Sequence, residues 1–175
     1  MFGGRFNWIF GMGRRFAPDA TIVQVDIEPE ELTSGASVTH GVVADARATA
    51  EALAGAGSHI VITARGQGPL ESVAISLREK AGRQVLVVPG DISSMDFLEE
   101  IVHKTIDAFG RVDVLVNNAG TNIRGSSSTY TVEDWDRVTG INLKAVFFLT
   151  QACANKMIER GEGGKVINIL SLASS

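Results

Sequence analysis

The chain has 175 residues, 45% of them hydrophobic and 21% charged, the ordinary balance of a folded domain with its own core. Its net charge of -4 favours neither a nucleic-acid backbone nor an anionic membrane surface. One cysteine, Cys153, excludes an internal disulfide framework, and no apolar run approaches the roughly 20 residues of a membrane span.

The opening MFGGRFNWIFGMGRRF has no continuous apolar stretch and no small-residue cleavage site, so it does not read as a signal peptide. A cytoplasmic protein with no nucleic-acid or membrane partner and no metal site is the expectation. In chain order, TIVQVDI (21–27) is a β-rich run bounded by Pro18 and Pro29, and HGVVA (40–44) is a weaker one. Asp45 is placed to cap the helix ARATAEALAGAG, which Gly55 and Gly57 end. HIVITA (59–64) reads as a strand. Leu70, Val73, Ala74 and Leu77 then recur at helical spacing until Gly82. QVLVV (84–88) is the next strand, and Phe97, Leu98, Ile101, Val102, Ile106 and Phe109 mark a helix ending at Gly110. VDVLVNNAG (112–120) begins as an apolar strand. From Thr131 to Arg160 the pattern is helical, with a break expected near Gly140, and Cys153 falls on its apolar side as a small core residue. KVINIL (165–170) is the last strand.

Strand and helix in alternation imply an α/β fold: a doubly wound, Rossmann-like, three-layer parallel sheet of about six strands. The strands at 59, 84, 112 and 165 are nearly continuous apolar runs, as strands covered on both faces should be. Ligands in such sheets bind beyond the carboxyl ends of the strands. Asn117 and Asn118 lie at such an end, and Ala119-Gly120 would let a ligand approach the main chain. The spacing alone fits a ligand-facing end and a plain tight turn equally well.

From about residue 52 onward the chain resembles the short-chain dehydrogenase/reductase family. The residues that carry the resemblance are NNAG (117–120), GDI (90–92), DWDRVTGINLKAVFFLTQA (134–152) and GGKVINILSLAS (163–174), in the family's order. The resemblance implies hydride exchange between NAD(H) or NADP(H) and a small carbonyl or alcohol. It implies that Asp91 and Ile92 hold the adenine ring, and that Asn118, Ala119 and Gly120 form the turn beside the cofactor ribose. It makes Asn142 the helix asparagine that organises a proton-relay water, and Ser171 the serine that hydrogen-bonds the substrate oxygen. Arg65, after the strand that contacts the adenosine ribose, suits a 2′-phosphate and hence NADP(H). Arg65 also fits a solvated surface arginine, and Asn142 a helix-bending polar residue. The family's long helices, here about 94–109 and 131–160, pack against partner subunits, so Phe147 and Phe148 fit either the core or a homo-oligomer interface.

Two departures from the family stand out. Its glycine-rich phosphate turn is replaced by Ala44-Asp45-Ala46-Arg47. The Asp45 carboxylate would face a diphosphate, and like charges at about 4 Å repel by about 1 kcal/mol even in water. GMGRRF (11–16) follows no recognisable strand and is discounted. The family's tyrosine, with a lysine four residues later, follows the serine strand, and this sequence ends at Ser175, before that segment. Its one tyrosine is Tyr130, with Asp134 at i+4. A positioned proton donor contributes about 10² to 10⁴ in rate. Weak or lost cofactor binding and weak or absent turnover are therefore expected.

The first part of the chain resembles something else. GGRFNWIFGMGRRFAPDATIVQVDIEPEEL and GVVADARATAEAL are similar to the tail of the central domain of thiamine-diphosphate-dependent enzymes of the oxalyl-CoA decarboxylase and acetolactate synthase type. That resemblance implies a Rossmann-like spacer able to hold ADP or FAD, and no thiamine site. Asp26 or Glu28 could lie near a ribose there, or simply favour a helix N-terminus. The expected organisation is one Rossmann-like domain over 1–175, joined from a thiamine-enzyme-like segment (1–52) and a short-chain-dehydrogenase-like segment (53–175), a chimera or gene fusion. The leading functional expectation is an NAD(P)-dependent oxidoreductase core. The alternative is a non-catalytic, vestigial α/β scaffold or nucleotide-binding module.

Overall fold

A computed structural model describes residues 23–26, 40–43 and 46–169, with side chains from 48 onward. The elements in order are β1 (Val23–Asp26), β2 (His40–Val43), α1 (Ala46–Gly55), β3 (Ile60–Ile62), α2 (Gln67–Ala81), β4 (Val85–Val87), α3 (Met95–Phe109), β5 (Val114–Asn117), α4 (Val132–Thr139), a π-helical turn (Gly140–Ala145), α5 (Val146–Arg160) and β6 (Lys165–Asn168). The six strands form three pairs, β1 with β2, β3 with β4 and β5 with β6. The first two pairs are parallel. In the third, Lys165 N–H donates to Asp113 and Ile169 N–H to Asn117, with the same offset along the chain, as parallel pairing requires. The chain divides into two compact units, one of 50–115 with 119–166, the other of the N-terminal strands with 116–118 and the chain from 167.

Within the first of these units the layering follows from strand alternation. Ile60 and Ile62 of β3, with Val85 and Val87 of β4, pack with Ala54 of α1 and with Ala74 and Leu77 of α2. The residues between them, Val61 and Leu86, face the other way and join Val88, Phe97, Ile101, Val102, Cys153 and Met157, contributed largely by α3 and α5. A period of two thus sends each strand into two helical layers, which is why its sequence is apolar at every position. Leu77 and Leu98 are almost fully buried, each contributing about 1.5–3 kcal/mol by leaving water.

Local chemistry sets the helix ends. Ser94 caps α3 by accepting from Phe97 N–H, and Thr131 caps α4 by accepting from Asp134 N–H. Gly110 closes α3 at φ 73°, a left-handed conformation that glycine adopts without steric penalty. The break expected near Gly140 takes a different form. Gly140 stays helical at φ -57° and ψ -44°, and the backbone passes through one π-helical turn before α5 resumes. A glycine with helical dihedrals does not interrupt a helix; here the hydrogen-bond ladder slips by a residue instead. The cap expected at Asp45 lies outside the described residues. None of the helices searched is long and apolar enough to cross a membrane.

Candidate cofactor and active site

The β3–β4 ladder continues past both strands. Val88 N–H donates to Ile62, and Gly90 N–H to Ala64, each at 3.0 Å. The next residues on the two strands are Arg65 and Asp91, so parallel pairing delivers a cation and a carboxylate to neighbouring carboxyl ends. Arg65 is exposed. The Asp91 carboxylate accepts from the Ser93 backbone N–H and from the Ser93 hydroxyl, both at 2.9 Å. These bonds, the backbone one first, hold its carboxyl below the usual range, and the charges of Arg65 and then Arg137 act the same way. Gly90 permits this turn, because a Cβ there would overlap the ring of Phe97. Ile92 is half-buried and packs against the Phe97 cluster.

In the same unit, the π-helical turn presents Asn142 to the segment that follows β5. Its Oδ1 accepts from Thr121 N–H at 2.9 Å, and its Nδ2 donates to the Thr121 carbonyl at 2.8 Å. The side chain therefore pairs with one residue's backbone as a neighbouring strand would. Gly120 lies beside it; a Cβ there would sit 3.6 Å from Asn142 Oδ1, an ordinary contact. Packing among the described residues therefore does not by itself require glycine at 120. Ala119 and Gly120 are exposed.

In the second unit, Asn117 closes β5. It is the one polar residue counted as buried among the described residues, at 7% exposure. Its Nδ2 donates to Asn168 Oδ1 at 2.8 Å, and its carbonyl accepts from Ile169 N–H at 2.7 Å. Asn118 is exposed. Ser171 and the Ala44-Asp45 part of the phosphate turn lie outside the described residues.

Among the candidate residues, then, Arg65 and Asp91 are brought together, and Asn142 is joined to the backbone just beyond Gly120. Three partners were not expected from the sequence: Ser93, Thr121 and Asn168. An Asp two residues before a Ser is a turn signature that could have indicated Ser93. No local signal points to Thr121 or Asn168, which answer side chains 21 and 51 positions away. Cys153 lies in the α3–α5 core, where burial pushes its thiol up to about 11. Phe147 and Phe148 are 59% and 41% exposed and meet edge to face, so they lie outside the core.

Alternating strands and helices with parallel pairing define an α/β protein of the doubly wound, Rossmann-like class. The family model described as short chain dehydrogenase matches residues 36–175, and the chain belongs to that family. The match begins upstream of residue 52 and takes in β2 and α1. Among curated relatives, 2-dehydro-3-deoxy-D-gluconate 5-dehydrogenase of Escherichia coli (strain K12) is 40% identical over 93 residues, 53% of this chain and 37% of that one. L-rhamnose 1-dehydrogenase (NAD(P)(+)) of Sphingomonas sp. (strain SKA58) is 31% identical over 144 residues, 82% of this chain and 54% of that one. Among solved structures, a metagenomic short-chain oxidoreductase in complex with NADP is 36% identical at a TM-score of 0.68, covering 73% of this chain and 57% of the other. L-sorbose reductase from Gluconobacter frateurii, complexed with NADPH and L-sorbose, is 35% identical at a TM-score of 0.66, covering 69% and 46%. The chain spans about half, or less, of the length of these proteins.

Proposed function

We propose that this chain is the nucleotide-binding core of an NAD(P)-dependent oxidoreductase acting on a small carbonyl or alcohol. The observation that carries the reading is the closure of Asn142 onto Thr121, which ties the helix asparagine to the residue that follows the NNAG motif. When bound, the nicotinamide cofactor would supply or accept the hydride. Arg65 would hold the adenosine end, its exposed guanidinium suited to a 2′-phosphate, so NADP(H) is favoured over NAD(H). Asp91 and Ile92 would flank the adenine, Asn118, Ala119 and Gly120 the ribose, and Ser171 the substrate oxygen. A glycine at 120 that its described neighbours do not demand is consistent with a ligand against that backbone.

Within this reading the 175 residues by themselves turn over weakly or not at all. Their one tyrosine, Tyr130, has Asp134 rather than lysine four residues on, and Asp45 stands where the family has its phosphate-binding glycines. Those two features also support a second reading, an α/β scaffold or vestigial nucleotide module without chemistry. The N-terminal resemblance supports a joined origin, with 1–52 derived from a thiamine-enzyme central domain and 53–175 from a short-chain dehydrogenase, the whole forming one Rossmann-like domain. The exposed pair Phe147 and Phe148 supports self-association, and the composition a cytoplasmic setting.

Titration of NADPH, followed by its fluorescence, tests the reading. Saturable binding that weakens on Arg65→Ala more for NADPH than for NADH supports it. Absent binding supports the scaffold. Turnover of a carbonyl panel that disappears on Ser171→Ala would show that chemistry survives.

A further inference from the structure

The segment that leaves β5 is built as an ordered lip. Its start is held by the Asn142 clamp on Thr121. Further on, Thr129 N–H donates to the Ser126 carbonyl at 3.0 Å, and the hydroxyls of Ser126 and Ser128 lie 2.8 Å apart, closing a turn. Tyr130 stands against Gly125, where a Cβ would sit 3.5 Å from its ring. Thr131 ends the segment as the cap of α4. Between these anchors Arg124 is exposed. Arg111 and Arg160 are each tied to carboxylates. Arg124, by contrast, has no ion pair or hydrogen bond among the described residues.

We propose that Arg124 recognises a carboxylate on the substrate, so that the compound exchanging hydride is a small hydroxy acid or oxo acid. The proposal rests on the hydride-transfer reading and names its substrate class. Ligands of such sheets lie beyond the carboxyl ends of the strands, and the lip leaves one of those ends. A guanidinium presents a planar fork that donates two parallel N–H bonds to a carboxylate. An arginine with no carboxylate of its own enters that pair without breaking another. The rest of the lip agrees. Residues 121–130 read TNIRGSSSTY; the one aliphatic side chain of any length, Ile123, is half-buried, while Asn122 and Ser127 are exposed. The surface offers polar donors and hydroxyls, not the apolar wall that a long-chain or polycyclic substrate requires.

Calorimetric titration of the whole chain with a series of hydroxy acids of three to six carbons tests this. Each acid is compared with its own methyl ester, which removes the charge, in the presence of NADP+ and at about 0.15 M ionic strength. We expect at least one acid to bind about tenfold more tightly than its ester. Arg124→Ala, at an exposed position, should fold normally and reduce that preference to within about twofold, and Arg124→Lys should restore only part of it. Arg83→Ala removes an exposed cation that precedes β4, at an amino end, and should leave the preference intact. The proposal is wrong if no acid is preferred, or if the preference survives Arg124→Ala. It is equally wrong if Arg83→Ala weakens the preference as much, since diffuse charge then explains it. NADPH titration of the same chain separates the two readings. Saturable NADPH binding without any acid preference sinks the carboxylate site and leaves the hydride-transfer reading standing. An Arg124-dependent preference in a chain that binds no NADPH keeps the carboxylate site but removes its role in hydride transfer, and so overturns the substrate assignment.

Discussion

Asn142 and Thr121 are joined at both ends of one amide: Thr121 N–H donates to Asn142 Oδ1, and Asn142 Nδ2 donates to the Thr121 carbonyl. Asn142 is exposed, so water replaces both bonds when the side chain is shortened. Asn142→Ala should therefore lower stability by only about 1 kcal/mol, measured by urea unfolding. Its larger effect should be local, with amide exchange at Thr121 accelerating well beyond the global change. Equal acceleration at Thr121 and throughout α3 would show that the clamp has no local role.

Gly90 and Phe97 share one space. A Cβ at 90 would overlap the aromatic ring, which is buried at 7% exposure with Val88 and Ile101 in its cluster. Gly90→Ala should lower stability by about 1–3 kcal/mol, the usual range for overpacking. Adding Phe97→Leu should be less than additive, because the smaller side chain vacates the contested volume. Additive losses in thermal unfolding would place the strain elsewhere.

Cys153 offers a chemical test of the core. The residue is 4% exposed, and burial pushes its thiol up to about 11, so little thiolate is present at neutral pH and reagent has poor access. An aromatic disulfide reagent should label the native chain slowly, at a rate that follows unfolding, and label it rapidly in concentrated urea. Fast native labelling would mean that the α3–α5 layer opens readily.

The sequence showed what repeats along it and missed what meets across it. β3 and β4 were legible because both faces are covered, which makes every position apolar, and α3 because Phe97, Leu98, Ile101 and Val102 recur on one side. Arg65 and Asp91 were legible as strand-end residues, though their proximity needed the Ala64–Gly90 ladder bond. The π-helical turn was read only as a break at Gly140, since a one-residue slip of the hydrogen-bond ladder leaves little mark on hydropathy. Asn117 was seen as the end of a strand, while its amide partner, 51 residues away, had no local signature. The same holds for the charge cluster around Arg160, which gathers residues from three segments.

That cluster carries a pH dependence whose direction follows from its geometry. Arg160, with its side chain 20% exposed, donates to the carbonyls of Val112 and Gly163 at 3.0 and 2.8 Å. It also lies 3.0 Å from Asp113 Oδ1 and 3.3 Å from Glu162 Oε2. Arg111 completes the group, 2.6 Å from Asp113 and 3.0 Å from Glu162. The end of α5 is thus tied to the chain entering β5 and to the turn before β6. Arg160→Ala strands two carbonyls and should lower stability by about 2 kcal/mol. Arg111→Ala, which touches only exposed carboxylates, should do less. Hydrogen bonding from Arg111, then the charges of Arg111 and Arg160, hold the Asp113 carboxyl below its ordinary value of 3.8. A carboxylate depressed on folding stabilises above its unfolded pKa, and that contribution is lost as pH falls through the folded value. Asp113→Asn should therefore be less stable than the unaltered chain at about pH 6, by under ~1 kcal/mol because the side chain is 53% exposed and screened. The gap should narrow as pH falls below the unfolded value and through the lowered folded value of Asp113. A gap that is unchanged or wider at acid pH, in urea unfolding at matched ionic strength, would contradict the ion-pair assignment.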